Sequence, residues 1–230
     1  MKKLLAFLMA LVIIPCALLF TSCDKIKNFI EQDIVDTNGL FKKQAVYNIN
    51  QKIGDNYMSA KITFEHDGTG SLAVQGDEEK SGKIDSYKVN GNLIEYVSDG
   101  KTQYLDYYKD FIAIPLILSI GDSAAYLGSF IGVREGQVIS ERSSTEIIGY
   151  HVLIYVNKDS LPAVFTGDND SKGSYVTYYK NGTVSDKVGY LSADQVFNFD
   201  SSEIGTKVID VSIQGKKYKT ILNVVEPSLI

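Results

Sequence analysis

Val208-Ile209-Asp210-Val211-Ser212-Ile213-Gln214-Gly215-Lys216-Lys217-Tyr218-Lys219-Thr220-Ile221-Leu222-Asn223-Val224-Val225 reads as two strands joined by a tight turn. Side chains alternate across a strand, so Ile209, Val211 and Ile213 fall on one face. Tyr218, Thr220, Leu222 and Val224 line one face of the return strand. A period of two sustained on both sides of a turn excludes an amphipathic helix and sets the class of the carboxy-terminal region as antiparallel β.

The same grammar extends upstream. Asn90-Gly91 separates two alternating runs between Ile84 and Val97, Asp99-Gly100 repeats the device one strand later, and Asp67-Gly68 joins Ile62–Phe64 to Leu72–Val74. Asn, Asp and Gly tolerate the positive φ of primed hairpin turns. Further strands are expected at Phe41–Ile49, Tyr104–Tyr108, Phe111–Leu118 and Ile147–Val156. That makes roughly eight or nine from Leu40 to Asn157. Pro115 inside its run argues for a sheet edge or a bulge. Residues 121–136, with Ala124-Ala125-Tyr126-Leu127, are the least strand-like and read as a short helix or an ordered loop. Closing such a meander into a barrel removes its unpaired edges. Downstream, Tyr175–Tyr179 and Thr183-Val184 flank another Asn-Gly turn at 181–182.

Composition bounds the function. With 44% hydrophobic and 22% charged residues the 230-residue chain fits a folded protein, not a disordered or polytopic membrane one. Its formal charge is -5, and removal of Lys2 and Lys3 with a leader makes the remainder more acidic. No nucleic-acid partner is expected, since phosphate binding needs clustered positive charge.

Lys2 and Lys3 precede an apolar run from Leu4 to Phe20 interrupted by Pro15, the plan of a secretory signal peptide over residues 1–22. The alternative, a membrane helix, needs about 20 residues, more than this run supplies. Thr21-Ser22-Cys23 resembles the lipobox of bacterial lipoproteins, with Phe20 where that family usually has Leu. The resemblance implies diacylation of Cys23, which becomes the new amino terminus and the membrane anchor, and places the protein in the cell envelope outside the cytoplasm. Cys16 leaves with the leader, so no free thiol remains for a disulfide, a metal or a nucleophile. Asp24 resembles an inner-membrane retention signal used by some bacteria. Residues 23–39 read as a tether, with Phe29, Ile30 and Ile34 at helical spacing.

Two further resemblances concern the folded part. Ile62-Thr63-Phe64 through Asp67-Gly68-Thr69-Gly70-Ser71-Leu72, with Tyr87-Lys88-Val89-Asn90-Gly91-Asn92-Leu93-Ile94, is similar to the meander of bacterial lipocalin-like lipoprotein domains. It implies a small up-and-down barrel over 40–160, without the Gly-x-Trp signature, since the chain has no tryptophan. Tyr178-Tyr179-Lys180-Asn181-Gly182-Thr183, Phe199-Asp200-Ser201-Ser202-Glu203-Ile204-Gly205-Thr206 and the final hairpin resemble bacterial immunoglobulin-like domains. That implies a β-sandwich over 163–230, with a boundary near Ser160-Leu161-Pro162.

Catalytic constellations are sparse. The chain has two histidines, His66 beside a hairpin tip and His151 within a strand, and neither has metal-ligand spacing around it. A Ser-His-Asp arrangement would require one of them to meet a serine through the tertiary fold. Gly68-x-Gly70 lacks the third glycine and following helix of a phosphate loop. Asp168-Asn169-Asp170-Ser171-Lys172-Gly173 begins like a calcium loop, but Lys172 and Tyr179 occupy positions that need oxygen ligands. Asp77, Glu78, Glu79, Asp106 and Asp110 supply acids without any defined separation. No enzyme activity, cofactor or metal is therefore expected.

Tyrosine is the remaining signal, with 15 in the chain and clusters at Tyr104, Tyr107, Tyr108 and at Tyr175, Tyr178, Tyr179. Exposed tyrosines stack on sugars or anchor a protein partner, yet tyrosine is equally a strand former that packs across sheets. The expectation is a lipid-anchored, non-catalytic binding or adhesion module that meets an extracellular protein or glycan. The alternative is a carrier whose barrel holds a small apolar ligand or lipid, with an envelope hydrolase third.

Overall fold

The computed structural model describes residues 34–53, 56–75, 80–120, 123–137, 146–161 and 173–226. Apart from a single 3₁₀ turn at Ala193–Gln195, the regular structure of these residues is all strand. One sheet holds β1 (Ala45–Ile53), β2 (Asn56–Phe64), β3 (Gly70–Gln75), β4 (Lys80–Ile84), β5 (Ser86–Asn90), β6 (Leu93–Ser98), β7 (Lys101–Tyr108), β8 (Phe111–Ile120) and β9 (Ser123–Arg134). A second holds β10 (Ile147–Asn157), β11 (Gly173–Tyr179), β12 (Gly189–Tyr190), β13 (Val196–Phe197), β14 (Gly205–Ile213) and β15 (Lys216–Val225).

The first sheet runs β4-β3-β2-β1-β9-β8-β7-β6-β5 and is antiparallel throughout. Its chain ends meet where Tyr47 pairs with Arg134 and Ile49 with Gly132. The remaining seam falls between β4 and β5, which only Asp85 separates, and the Asp85 N–H donates to the Val97 carbonyl at 2.8 Å. β4 and β5 thus act as one bent strand, paired first with β3 and then with β6. The result is a nearly closed up-and-down barrel, which leaves little of its edge open to intermolecular pairing.

Turn chemistry agrees with the sequence at most sites. Asp99-Gly100 and Gln214-Gly215 both take positive φ at each position, the type I′ requirement. The β5–β6 hairpin departs by one residue: its loop is Gly91-Asn92, not Asn90-Gly91. That register sets Val89 opposite Ile94, both buried, and frees the Asn92 side chain for a contact described below.

The barrel interior around its amino-terminal end is filled by side chains. Phe41, 1% exposed, sits at the centre, with ring centroids 5.6 Å from Phe64, 5.6 Å from Tyr87 and 5.7 Å from Tyr107. Its backbone N–H donates to the Tyr87 hydroxyl at 2.9 Å, and that hydroxyl donates onward to the Glu65 carbonyl at 2.7 Å. Within the stretch read as tether, residues 34–39 are fastened to the barrel: Val35 bridges Phe41, and Val89 N–H donates to the Gly39 carbonyl at 2.7 Å. Asp36 turns this segment by accepting from the N–H groups of Asn38 and Leu40.

Two expectations are corrected. Residues 123–134, read within a short helix or loop, form β9, which pairs with β8 from Phe111–Val133 to Ile120–Ser123. Leu127 is left without a partner between Tyr126 and Gly128, so a bulge breaks the alternation and hides the strand from a period-two reading. Pro115 lies where β8 has passed the end of its β7 pairing at Ala113, an edge position one residue before that bulge, as its lack of an N–H requires.

The second correction concerns Ile147–Val156, expected among the strands of the first unit. As β10 it belongs instead to the second sheet, ordered β12-β11-β10-β15-β14-β13, and pairs in parallel with β15 from Ile154–Leu222 to Asn157–Val225. Gly149 to Ile154 are all buried, so β10 is covered on both faces: by the core of the second sheet on one and by Asp106, Tyr108 and Tyr126 of the barrel on the other. Tyr150, Val152, Ile154 and Val156 face a core shared with Val211, Ile213, Leu222 and Val224. All six strands belong to one curved sheet, a half-barrel. The final hairpin matches its sequence reading, with Ile213 opposite Lys216 and Ile209, Val211 and Ile213 buried.

Candidate functional site

β7 alternates between two environments. Leu105 and Tyr107 belong to the barrel core, while Asp106 and Tyr108 face outward and meet the second sheet. The Tyr108 hydroxyl donates to the Tyr150 carbonyl at 2.6 Å and accepts from the Tyr150 N–H at 2.9 Å. Asn92, released by the shifted hairpin register, does the same for Lys219, accepting from its N–H at 2.7 Å and donating to its carbonyl at 2.9 Å. These contacts fall just before the parallel pairing of β10 and β15 begins, where the two strands leave backbone groups to be met. Barrel side chains meet them.

Gly149 makes this approach feasible. A Cβ there would fall inside the Tyr108 ring, and β10 carries a register irregularity between Ile147 and Gly149 at the same place. Gly149→Ala is expected to push Tyr108 off Tyr150 and lower stability by about 2 kcal/mol, an overpacking cost, measured by urea denaturation. An unchanged midpoint would show that the Tyr108 contact contributes nothing.

Beside this joint lies a buried polar network. Asp106 Oδ2 is 2.8 Å from His151 Nδ1 and 3.0 Å from the Tyr178 hydroxyl. Ser129 Oγ is 2.8 Å from that hydroxyl and 2.7 Å from the Tyr126 hydroxyl. Each hydroxyl has one proton, so the direction follows: Tyr178 donates to Asp106, Ser129 to Tyr178, and Tyr126 to Ser129. With the carboxylate as acceptor, His151 Nδ1–H donates. The other ring nitrogen of His151, Nε2, is buried and has no hydrogen-bond partner.

Burial suppresses the ionisation of these tyrosines. Tyr178 and Tyr108 lie well above the usual phenol value, first through desolvation and then through the negative field of Asp106. In the barrel, burial pushes Tyr107 up to about 12 against the lowering effect of Arg134. The folded chain holds these protons more tightly than the unfolded one, so their contribution is complete below pH 10 and falls as pH rises through about 12. Alkaline titration is expected to unfold the protein over that window, with tyrosinate absorbance and loss of circular dichroism appearing together. Tyrosinate formation well ahead of unfolding would contradict it.

Between β9 and the face of β10, β11 and β12 opens a cleft of about 310 Å³, lined by Ala124, Ala125, Tyr126, His151, Leu153, Ser174, Tyr175, Val176, Val188 and Tyr190. None of these side chains carries a fixed charge. The Tyr126 ring stands 5.7 Å from the His151 imidazole.

Of the tyrosines singled out from sequence, Tyr108 and Tyr178 come together at the joint, with centroids 5.8 Å apart, and Tyr175 reaches the cleft. Tyr107 packs on Phe41 inside the barrel, Tyr104 pairs opposite Glu95 on its wall, and Tyr179 begins the 181–182 turn. Asp106 and His151 join across 45 positions, whereas His66 is exposed beside its hairpin tip. Sequence reasoning missed Asn92, Tyr126 and Ser129. A hairpin-register argument could have released Asn92; Tyr126 and Ser129 were masked by the bulge. Cys23, Asp77, Glu78, Glu79 and residues 168–172 of the calcium-like loop lie outside the described residues, as does the leader. Among the described residues no cluster of three or more His, Cys, Asp or Glu could hold a metal, and no helix is long and apolar enough to cross a membrane.

No family model matches the chain, and no curated protein or solved structure matches it either.

Proposed function

We propose that the protein is an exported, lipid-anchored component of the cell envelope, held through acylated Cys23 and acting as a non-catalytic binding or adhesion module. In this reading the lipocalin-like barrel and the immunoglobulin-like second unit form a scaffold that presents a surface to an extracellular protein or glycan. The observation that carries binding over catalysis is the engagement of Ser129. Its Oγ is tied between the Tyr126 and Tyr178 hydroxyls, while His151 Nε2, the atom that would have to activate a nucleophile, has no hydroxyl beside it. The aromatic filling around Phe41 likewise weighs against a lipid carrier entered from that end of the barrel.

The anchor is tested by metabolic labelling with palmitate. Cys23→Ala is expected to abolish labelling and release the protein from membranes; retention of both would remove the lipoprotein reading. Affinity capture by the full chain from envelope extracts then tests the binding role, and activity against an envelope substrate that depends on His151 would replace it with the hydrolase alternative.

A further inference from the structure

We infer that the free edge of β8, on the hairpin it forms with β9, is where two copies of this chain join, edge to edge and antiparallel about a two-fold axis at Leu118. This goes beyond the function proposed above and does not depend on it.

The β8–β9 hairpin is the exception to the closure of the barrel. β7 and β8 pair from Tyr108–Phe111 to Asp106–Ala113 and no further, whereas β8 continues along β9 as far as Ile120. β9 in turn leaves β1 beyond the Ile49–Gly132 pair. Past these points, among the described strands, β8 and β9 ladder only with each other. The direction of the free backbone groups follows from β7, whose Tyr107 N–H turns to the β6 side and donates to the Asn92 carbonyl at 2.7 Å. Its neighbours Asp106 and Tyr108 therefore turn to β8, and their partners Ala113 and Phe111 turn back to them. By the same alternation Pro115, Ile117 and Ser119 direct their backbone groups to that side, where β7 no longer pairs. Pro115 has no N–H to offer there; Ile117 and Ser119 each offer a donor and an acceptor.

Whatever covers this edge has two demands to meet. Leu116 is 37% and Leu118 50% exposed, on the face that further down carries Ile114 onto the barrel core, so apolar surface is left to water. Backbone donors and acceptors run beside it. Lipid would cover the leucines and strand the backbone groups, whereas an extended strand satisfies both. Charge selects which strand. The chain carries a net charge of -5, so two copies repel over most of their surface, yet Phe111–Val133 holds one charged residue, Asp122, between the two strands. Natural edges are commonly guarded by charge, and this one is not. Pairing the edge with itself sets Ile117 of one copy opposite Ser119 of the other, twice, and brings the two Leu118 side chains together on the axis. Each tip then stops beside Pro115 of the other copy, short of Ala113, where pairing with β7 begins. The edge of β9 is the poorer candidate, because its extra residue at Leu127 bends it.

The test is the mass of the full chain in detergent, measured by light scattering after gel filtration at about 100 μM, where weak specific dimers are populated. Wild type is expected at twice the chain mass once bound detergent is subtracted. Leu118→Lys and Leu118→Glu each place like charges on the axis. Each is expected to run as a monomer with unchanged circular dichroism, its self-association weakened at least about tenfold. Mixed in equal amounts, the two variants are expected to recover the dimer, because opposite charges then meet on the axis. That recovery separates an interface from a folding defect. A monomeric wild type overturns the inference, as do a dimer that tolerates both charges and a mixture that stays monomeric. A monomeric wild type whose binding to phosphatidylcholine vesicles is lost in Leu118→Lys gives the face to lipid and likewise overturns it.

Discussion

Phe41→Ala is expected to lower stability by about 3–5 kcal/mol, the range for deleting a buried phenylalanine. Its ring is in contact distance of four other aromatic rings and seals the barrel end at which β1 begins. The cavity cannot collapse easily, because Tyr47 and Phe64 stand on strands paired on both sides, and Tyr87 is held by its pairing with Tyr96 and by the two hydrogen bonds of its hydroxyl. Urea denaturation followed by circular dichroism measures it. A loss below about 1 kcal/mol would mean that the segment carrying Phe41 is not seated as described. The segment is also expected to loosen, since the Phe41 N–H bond to Tyr87 and the Val35 bridge depend on its position.

Asp106→Ala is expected to cost about 3 kcal/mol. The substitution removes the common acceptor of His151 Nδ1–H and the Tyr178 hydroxyl, and both donors are then stranded in a space that excludes water. Asp106→Asn, with its carbonyl oxygen in the place of Oδ2, still accepts from both donors and should lose about half as much, the remaining loss coming from the weaker acceptor that replaces the carboxylate. The comparison separates hydrogen bonding from simple volume. Equal losses in the two variants would show that the network is not what holds the barrel to the second sheet. The same variants should lower the protection of the Tyr150 and Lys219 amides against hydrogen exchange, since Tyr108 and Asn92 reach those amides only while the joint is closed.

Much of the fold was legible, and the reasons differ from element to element. The hairpin of β14 and β15 is local and regular, and its two-residue turn admits one register, so alternation alone identifies its buried faces. β9 was not legible because its extra residue, Leu127, shifts the inward face by one position within a segment rich in alanine. β10 was recognised as a strand but not placed: its partner β15 lies across about two-thirds of the second unit, and nothing local encodes a parallel pairing over that separation. The candidate site was least legible of all. Asp106, Ser129, His151 and Tyr178 come from four strands and two sheets, and each residue taken alone has an ordinary structural explanation. Alternation does carry one part of it, since Tyr107 and Tyr108, neighbours on one strand, face opposite ways.

The position of β15 has a consequence for the order in which the molecule assembles. A chain appearing amino terminus first has every stave of its barrel once residue 134 is out, through contacts that are mostly between successive strands and therefore fast to form. β10 follows soon after, with both of its faces to be buried, but the strand that shields one of its edges is the last to arrive. In the interval the finished barrel is the surface at hand for it, with Asp106 and Tyr108 already aligned to hold it. The earlier unit thereby serves as a template for the later one.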